Sequence, residues 1–133
     1  KEPTNWDLVE SILNSSSRNN FENGITGVLV VTENHFLQVL EGPFEPLNAT
    51  FDRIARDPRH KDIQLVSFKE ITERKFADWG MHGVGLFDLN QDIKSGLIAK
   101  FGEDEGSVRL PSTPGEVMDL LYTLLSDERA ANG

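Results

Sequence analysis

With 133 residues the chain has room for one domain with a real core and little more. A formal charge of -9 argues against non-specific binding to nucleic acid or to anionic membrane, both of which need basic surface. The lack of cysteine excludes disulfides, thiolate metal sites and thiol catalysis. No run reaches transmembrane length, and Lys1-Glu2-Pro3-Thr4-Asn5-Trp6 is not a signal peptide, so the expected compartment is the cytoplasm.

In chain order, Thr4-Asn5-Trp6-Asp7 reads as a capping box, and Leu8, Ile12 and Leu13 follow at helical spacing, predicting a helix over about residues 5–19. Gly24 is a fitting stop, since glycine takes left-handed dihedrals without penalty. Residues 25–32 are an apolar, β-branched strand, Glu33-Asn34 a turn, and residues 35–41 the returning strand. Gly42-Pro43 breaks that strand. Leu47, Phe51, Ile54 and Ala55 then mark an amphipathic helix that ends before Pro58. Residues 63–71 read as a further strand with neither face clearly wet, and residues 82–87 as a short one after the turn Phe76–Met81. Ile93, Leu97, Ile98 and Phe101 form one helical stripe. An acidic loop over residues 102–106 follows, and Ser112-Thr113-Pro114 opens a last helix whose stripe is Val117, Leu120, Leu121, Leu124 and Leu125.

The order α, β, β, α, β, β, α, α is that of an α+β, ferredoxin-like βαββαββ sandwich lacking its first strand, with two C-terminal helices added. In that architecture the first strand is internal, so its neighbours would expose unpaired edges unless residues preceding Lys1 or another chain fill the slot. Two polar features stand out. Asn19 and Asn20 sit where the first helix should end, and Gln38 interrupts a strand that is otherwise Phe, Leu, Val and Leu. A buried carboxamide left unpaired costs roughly 1–3 kcal/mol, so Gln38 needs a partner.

Arg18-Asn19-Asn20, Gly24-Ile25-Thr26-Gly27, Phe36-Leu37-Gln38-Val39-Leu40-Glu41-Gly42, Arg53, Asp57-Pro58-Arg59-His60, Ile71, Arg74, Phe76 and Trp79-Gly80-Met81, in this order and spacing, resemble the BLUF family of blue-light sensors using FAD. The resemblance covers residues 7–86 and divides the chain into a flavin-binding domain over 1–88 and a helical extension over 89–133, similar to that of short stand-alone members. It implies a non-covalent FAD, with FMN or riboflavin as substitutes, between the helices 4–19 and 46–56. Asn19 and Asn20 would bind the pyrimidine edge of the ring, Arg53 and Asp57 would reach one ligand edge, and His60 is a further contact. Gln38 would sit beside N5 and the C4 carbonyl. A carboxamide suits such an edge because it offers both a donor and an acceptor. Light would leave Gln38 rearranged, and the strand bearing Trp79 and Met81 would report this to the C-terminal helices or to a protein partner.

The resemblance thus implies a photoreceptor rather than an enzyme, with no metal, and a homo-oligomer is expected from the leucine stripe of the last helix. The family's photoactive tyrosine belongs on the first strand, and the single tyrosine here, Tyr122, lies in the last helix and is expected to be structural or exposed. That departure supports an alternative, a BLUF-derived interaction or oligomerisation module that does not sense light. A small ferredoxin-like hydrolase is the third reading, and it lacks the phosphate-cradling glycine loop it would need.

Overall fold

The computed structural model describes residues 7, 10, 11, 13, 14, 18, 20, 22–58, 65–76 and 82–132, without the side chains of 88 and 126–132. Strands β1 (Thr26–Val31) and β2 (Phe36–Glu41) form an antiparallel hairpin, and β3 (His82–Gly85) pairs parallel to β1 on its other side, giving the order β2-β1-β3. The register sets Thr26 opposite Glu41, Leu29 opposite Gln38 and Val31 opposite Phe36. Helix α1 (Phe44–Arg56) follows β2, and a 3-10 turn (Leu86–Asp88) follows β3. Helix α2 (Gln91–Phe101), the small hairpin β4 (Glu103–Asp104) and β5 (Ser107–Val108), and helix α3 (Pro114–Asn132) complete the chain.

Local chemistry explains most boundaries. The described positions from Asp7 to Glu22 are helical, so the expected end at residue 19 falls short. The stop lies beyond Asn20. Its carbonyl accepts from Asn23 N (3.1 Å) and Ile25 N (2.8 Å), with Gly24 at φ 70, the pattern that closes a helix through a left-handed glycine. The β1–β2 turn is held by the Thr32 hydroxyl, which accepts from Asn34 N (3.2 Å) and His35 N (2.9 Å). Asn90 caps α2, its side chain accepting from Ile93 N at 2.9 Å. Pro114 is the first residue of α3, as its missing N–H allows.

Further expectations are corrected. Residues 65–71 are not a strand, and Leu65, Val66, Phe68 and Ile71 are exposed. Alternating apolar residues make a strand only where a neighbour supplies the ladder, and among the described residues none pairs with this segment. The acidic loop after α2 is the turn of the β4–β5 hairpin, with Glu105 (φ 51) and Gly106 (φ 84) both left-handed. The predicted strand over 82–87 also stops at Gly85, where the chain tightens into the 3-10 turn.

The sheet separates two cores. Strand alternation turns Val28 and Val30 to one face and Leu29 and Val31 to the other. The first face meets Phe76, Leu86, Leu97, Val108, Val117, Leu120, Leu121, Leu124 and Leu125, all buried, with Leu37 and Val39 alongside. The leucine stripe of α3 therefore closes this face, while Tyr122 stays half exposed. The second face meets Leu13 of the N-terminal helical segment, Leu40 and Phe87. The β1–β2 turn is fastened to the C-terminal elements: Lys94 Nζ lies 3.1 Å from Glu33 Oε2, and Asn34 Nδ2 donates to the Ser107 hydroxyl at 3.3 Å.

Candidate functional site

Gln38 stands opposite Leu29 on β2, half-buried, and so lies on the face that Leu13 covers. Asn20 is 1% exposed, in the last turn before the Gly24 stop. Its carbonyl is used by the cap. Asn20 follows Leu13 by seven positions, two turns at helical spacing, which returns it to the side that Leu13 presents to the sheet. The helix end also abuts the exit of β2: a Cβ on Gly42 would lie 3.0 Å from Ile25 Cγ1 and 3.2 Å from Gly24 O. Glycine at 42 is what allows the cap and the start of α1 to approach so closely.

Helix α1 contributes a group that the sequence reading passed over. Its buried and half-buried positions are Pro46, Leu47, Thr50, Phe51 and Ile54, a stripe at helical spacing. Thr50 lies in the middle of that stripe, 4% exposed, and its Oγ1 has no hydrogen-bond partner. A helical threonine commonly donates to the carbonyl four residues back, so an orphaned buried hydroxyl here calls for a ligand or a water. The signal was present in the sequence as one polar residue among Leu47, Phe51 and Ile54.

The remaining candidates are placed less centrally or lie beyond description. Arg53 is exposed on the outer side of α1. Asp57 is the C-cap, with extended backbone (ψ 123), and is half-buried. Also on α1, Arg56 pairs with Asp52 at 3.1 Å. Asn19, His60, Trp79 and Met81 lie outside the described residues. A shallow cleft of about 300 Å³ lies nearby, lined by Gly42, Pro43, Ile71, Thr72, Glu73 and Arg74. It is open and largely polar, at the end of β2 rather than over Gln38, and does not suit a flat aromatic ligand.

The donor set fits a flavin ring. Asn20 and Gln38 each offer a donor and an acceptor, Thr50 adds a hydroxyl, and the surroundings (Leu13, Leu29, Leu40) are apolar. The family model described as sensors of blue-light using FAD matches residues 1–82. The chain belongs to the BLUF family. It is 35% identical over 81 residues to the blue light- and temperature-regulated antirepressor BluF of Escherichia coli, covering 61% of this chain and 19% of that protein. Among solved structures, the dark state of BlrB, a BLUF protein, superposes with a TM-score of 0.70 at 30% identity over 92% of this chain and 83% of its own. Klebsiella pneumoniae BlrP1, solved with FMN and cyclic diGMP, gives 0.64 at 31% identity, over 100% of this chain and 32% of its own. The ferredoxin-like α+β fold of the BLUF proteins is thus the fold of this chain, and its family is one of flavin-binding blue-light sensors. The chain spans only about a fifth of the length of the antirepressor it matches.

Proposed function

We propose that the chain is the sensory part of a blue-light receptor that holds FAD between its N-terminal helical segment and α1, and that Gln38 is the residue light rearranges. The observation that supports this reading is a half-buried carboxamide, Gln38, on the strand face that Leu13 covers, together with a buried one, Asn20, at the helix end. When bound, the flavin supplies absorption of blue light and a ring edge with one N–H donor and carbonyl acceptors. Asn20, held at the helix end by its own backbone cap, binds and orients that edge, with Asn19 beside it. Thr50 spends its free hydroxyl on the ligand. Gln38 can turn its carboxamide about χ3 and exchange donor for acceptor without moving β2, because amide O and N are nearly the same size. Arg53, Asp57 and His60 bind the parts of the cofactor that extend beyond the ring.

The output is protein-to-protein rather than catalytic. Trp79 and Met81 lie just ahead of β3 in sequence, and β3 carries the change onward. A partner protein, as the antirepressor's name implies for that relative, and a second copy of this chain are the proposed recipients. Among the described residues no helix is long and apolar enough to cross a membrane, consistent with action in the cytoplasm.

The test is the absorption spectrum of the purified protein with FAD. The expected result is a flavin band that shifts to the red under blue light and recovers in darkness. Gln38→Leu should keep the flavin and lose the shift, and a normal photocycle in that variant would remove Gln38 from its role. A protein that stays colourless after reconstitution overturns the reading. The second reading is a light-insensitive interaction module. Bound flavin without a red shift would select it.

A further inference from the structure

Glu41 is the one buried charged residue among those described, 6% exposed at the end of β2. Its carboxylate is fully employed. Oε2 accepts from Lys75 N at 2.7 Å, and Oε1 accepts from Phe76 N at 2.9 Å and from the Thr26 hydroxyl at 3.3 Å. Arg74 Nη1 donates to the same hydroxyl at 3.4 Å. A buried carboxylate is tolerable only with such a set, and two short bonds from backbone amides are the strong kind.

The position of this clamp is informative. Gln38 and Glu41 are three residues apart on one strand, so their side chains point to opposite faces. Gln38 shares its face with Leu29, Leu40 and Leu13. Glu41 shares the other with Leu37 and Val39, the face closed by α3. The amide that Glu41 holds belongs to Phe76, which is 3% exposed in the same cluster as Leu120, Leu121 and Leu124. From Phe76 the chain has five residues before His82 opens β3, on the far side of β1 from β2. Glu41 therefore fixes the Lys75–Phe76 segment against the end of β2.

We propose that Glu41 is a positioning residue of the light response: it ties the strand that bears Gln38 to Phe76, and through Phe76 to the core under α3. This rests on the flavin reading above, since Gln38 is taken as the residue that changes. Glu41 itself touches neither the cofactor nor Gln38. A displacement of β2 reaches the C-terminal face because a carboxylate with two amides does not stretch without losing bonds in a place water cannot replace them.

The experiment uses the full chain loaded with FAD, as wild type, Glu41→Gln and Thr26→Val. Trypsin cleavage after Arg74 and Lys75 is followed in darkness and under blue light, with cleavage after Arg56 as internal reference and the flavin red shift recorded on the same samples. A glutamine at 41 meets two backbone donors with one acceptor and one donor of its own. The expected result is an unchanged red shift with dark cleavage after Lys75 about ten-fold faster and no longer accelerated by light, since local opening is no longer opposed by the carboxylate. Thr26→Val, which leaves both amide bonds in place, should raise dark cleavage about two-fold and retain the light effect. A red shift with wild-type, light-dependent cleavage in Glu41→Gln overturns the proposal and leaves the flavin reading intact. A wild type without a red shift overturns the flavin reading. If Glu41→Gln does not fold, Thr26→Val decides: dark cleavage no faster than in wild type overturns the proposal.

Discussion

One sheet has two faces, and the described residues cluster differently on them. On the face of Val28 and Val30, the described residues form a buried cluster of eleven, reaching from Val28 through Phe76 to Leu125. On the face of Leu29 and Val31 those two are the buried members, with Leu13, Leu40 and Phe87 partly covered around them. The polar groups follow the same division. Gln38 lies on the face of Leu29, while on the other face the described residues include one buried charge, Glu41, fully satisfied. The closed face holds α3 to the sheet, and the face of Gln38 is the one proposed to take a flat ligand.

The comparison can be broken most directly at the closed face. Leu121→Ala removes a fully buried side chain of α3 and should cost about 4 kcal/mol in urea unfolding, near the upper part of the range for such truncations, while leaving FAD affinity unchanged in a fluorescence titration. Loss of affinity in step with stability would mean that the faces are not separable. Gly27→Ala strikes both faces through the strand they share. A Cβ there would lie 2.1 Å from Val39 O, so β1 and β2 must shift, and a loss of about 3 kcal/mol is expected by the same measurement. Leu29→Ala sharpens the contrast. It should cost about 2 kcal/mol, because the N-terminal helix can settle into the space, yet it should weaken FAD binding about ten-fold by opening the wall beside Gln38.

The smallest effect lies at the fastening between the β1–β2 turn and α2. Burial opposes ionisation of Glu33, but its own backbone amide, Lys94 and Ser107 outweigh it and hold the carboxyl below its usual value of 4.5. A carboxyl depressed in the folded state stabilises above its unfolded value, and that contribution is lost as pH falls through the folded one. The pair is partly exposed, 21% and 40%, so Lys94→Met should cost less than about 1 kcal/mol at neutral pH. The difference from wild type should vanish as pH drops below 4.5 and shrink in high salt. A difference that persists in acid would assign the effect to Lys94 packing instead.

The β1–β2 hairpin, helix α1 and the stripe of α3 were legible because their patterns are local: alternation, i to i+4 spacing, Gly24 and Pro114 at the ends. The two central polar residues were also legible, since a glutamine among Phe36, Leu37, Val39 and Leu40 breaks a pattern visible without coordinates. Thr50 was not singled out because threonine in a helix is ordinary until its hydroxyl proves to be buried and unpartnered. Glu41 was read only as part of a motif. Its weight comes from two amides that lie 34 and 35 residues away in sequence.

The sequence by itself determined the hairpin, most helix positions and the family, because periodicity and residue chemistry act over a few positions. The tertiary structure decided what depends on a distant partner. Residues 65–71 carry the composition of a strand but no ladder, since pairing requires a neighbour that alternation cannot provide. It also decided that β3 joins β1 rather than β2, and that Gln38 and Glu41, three residues apart, serve opposite faces of one strand. The physical reason is that alternation along a strand assigns a face to each residue, but only the packing of other elements gives each face its neighbours.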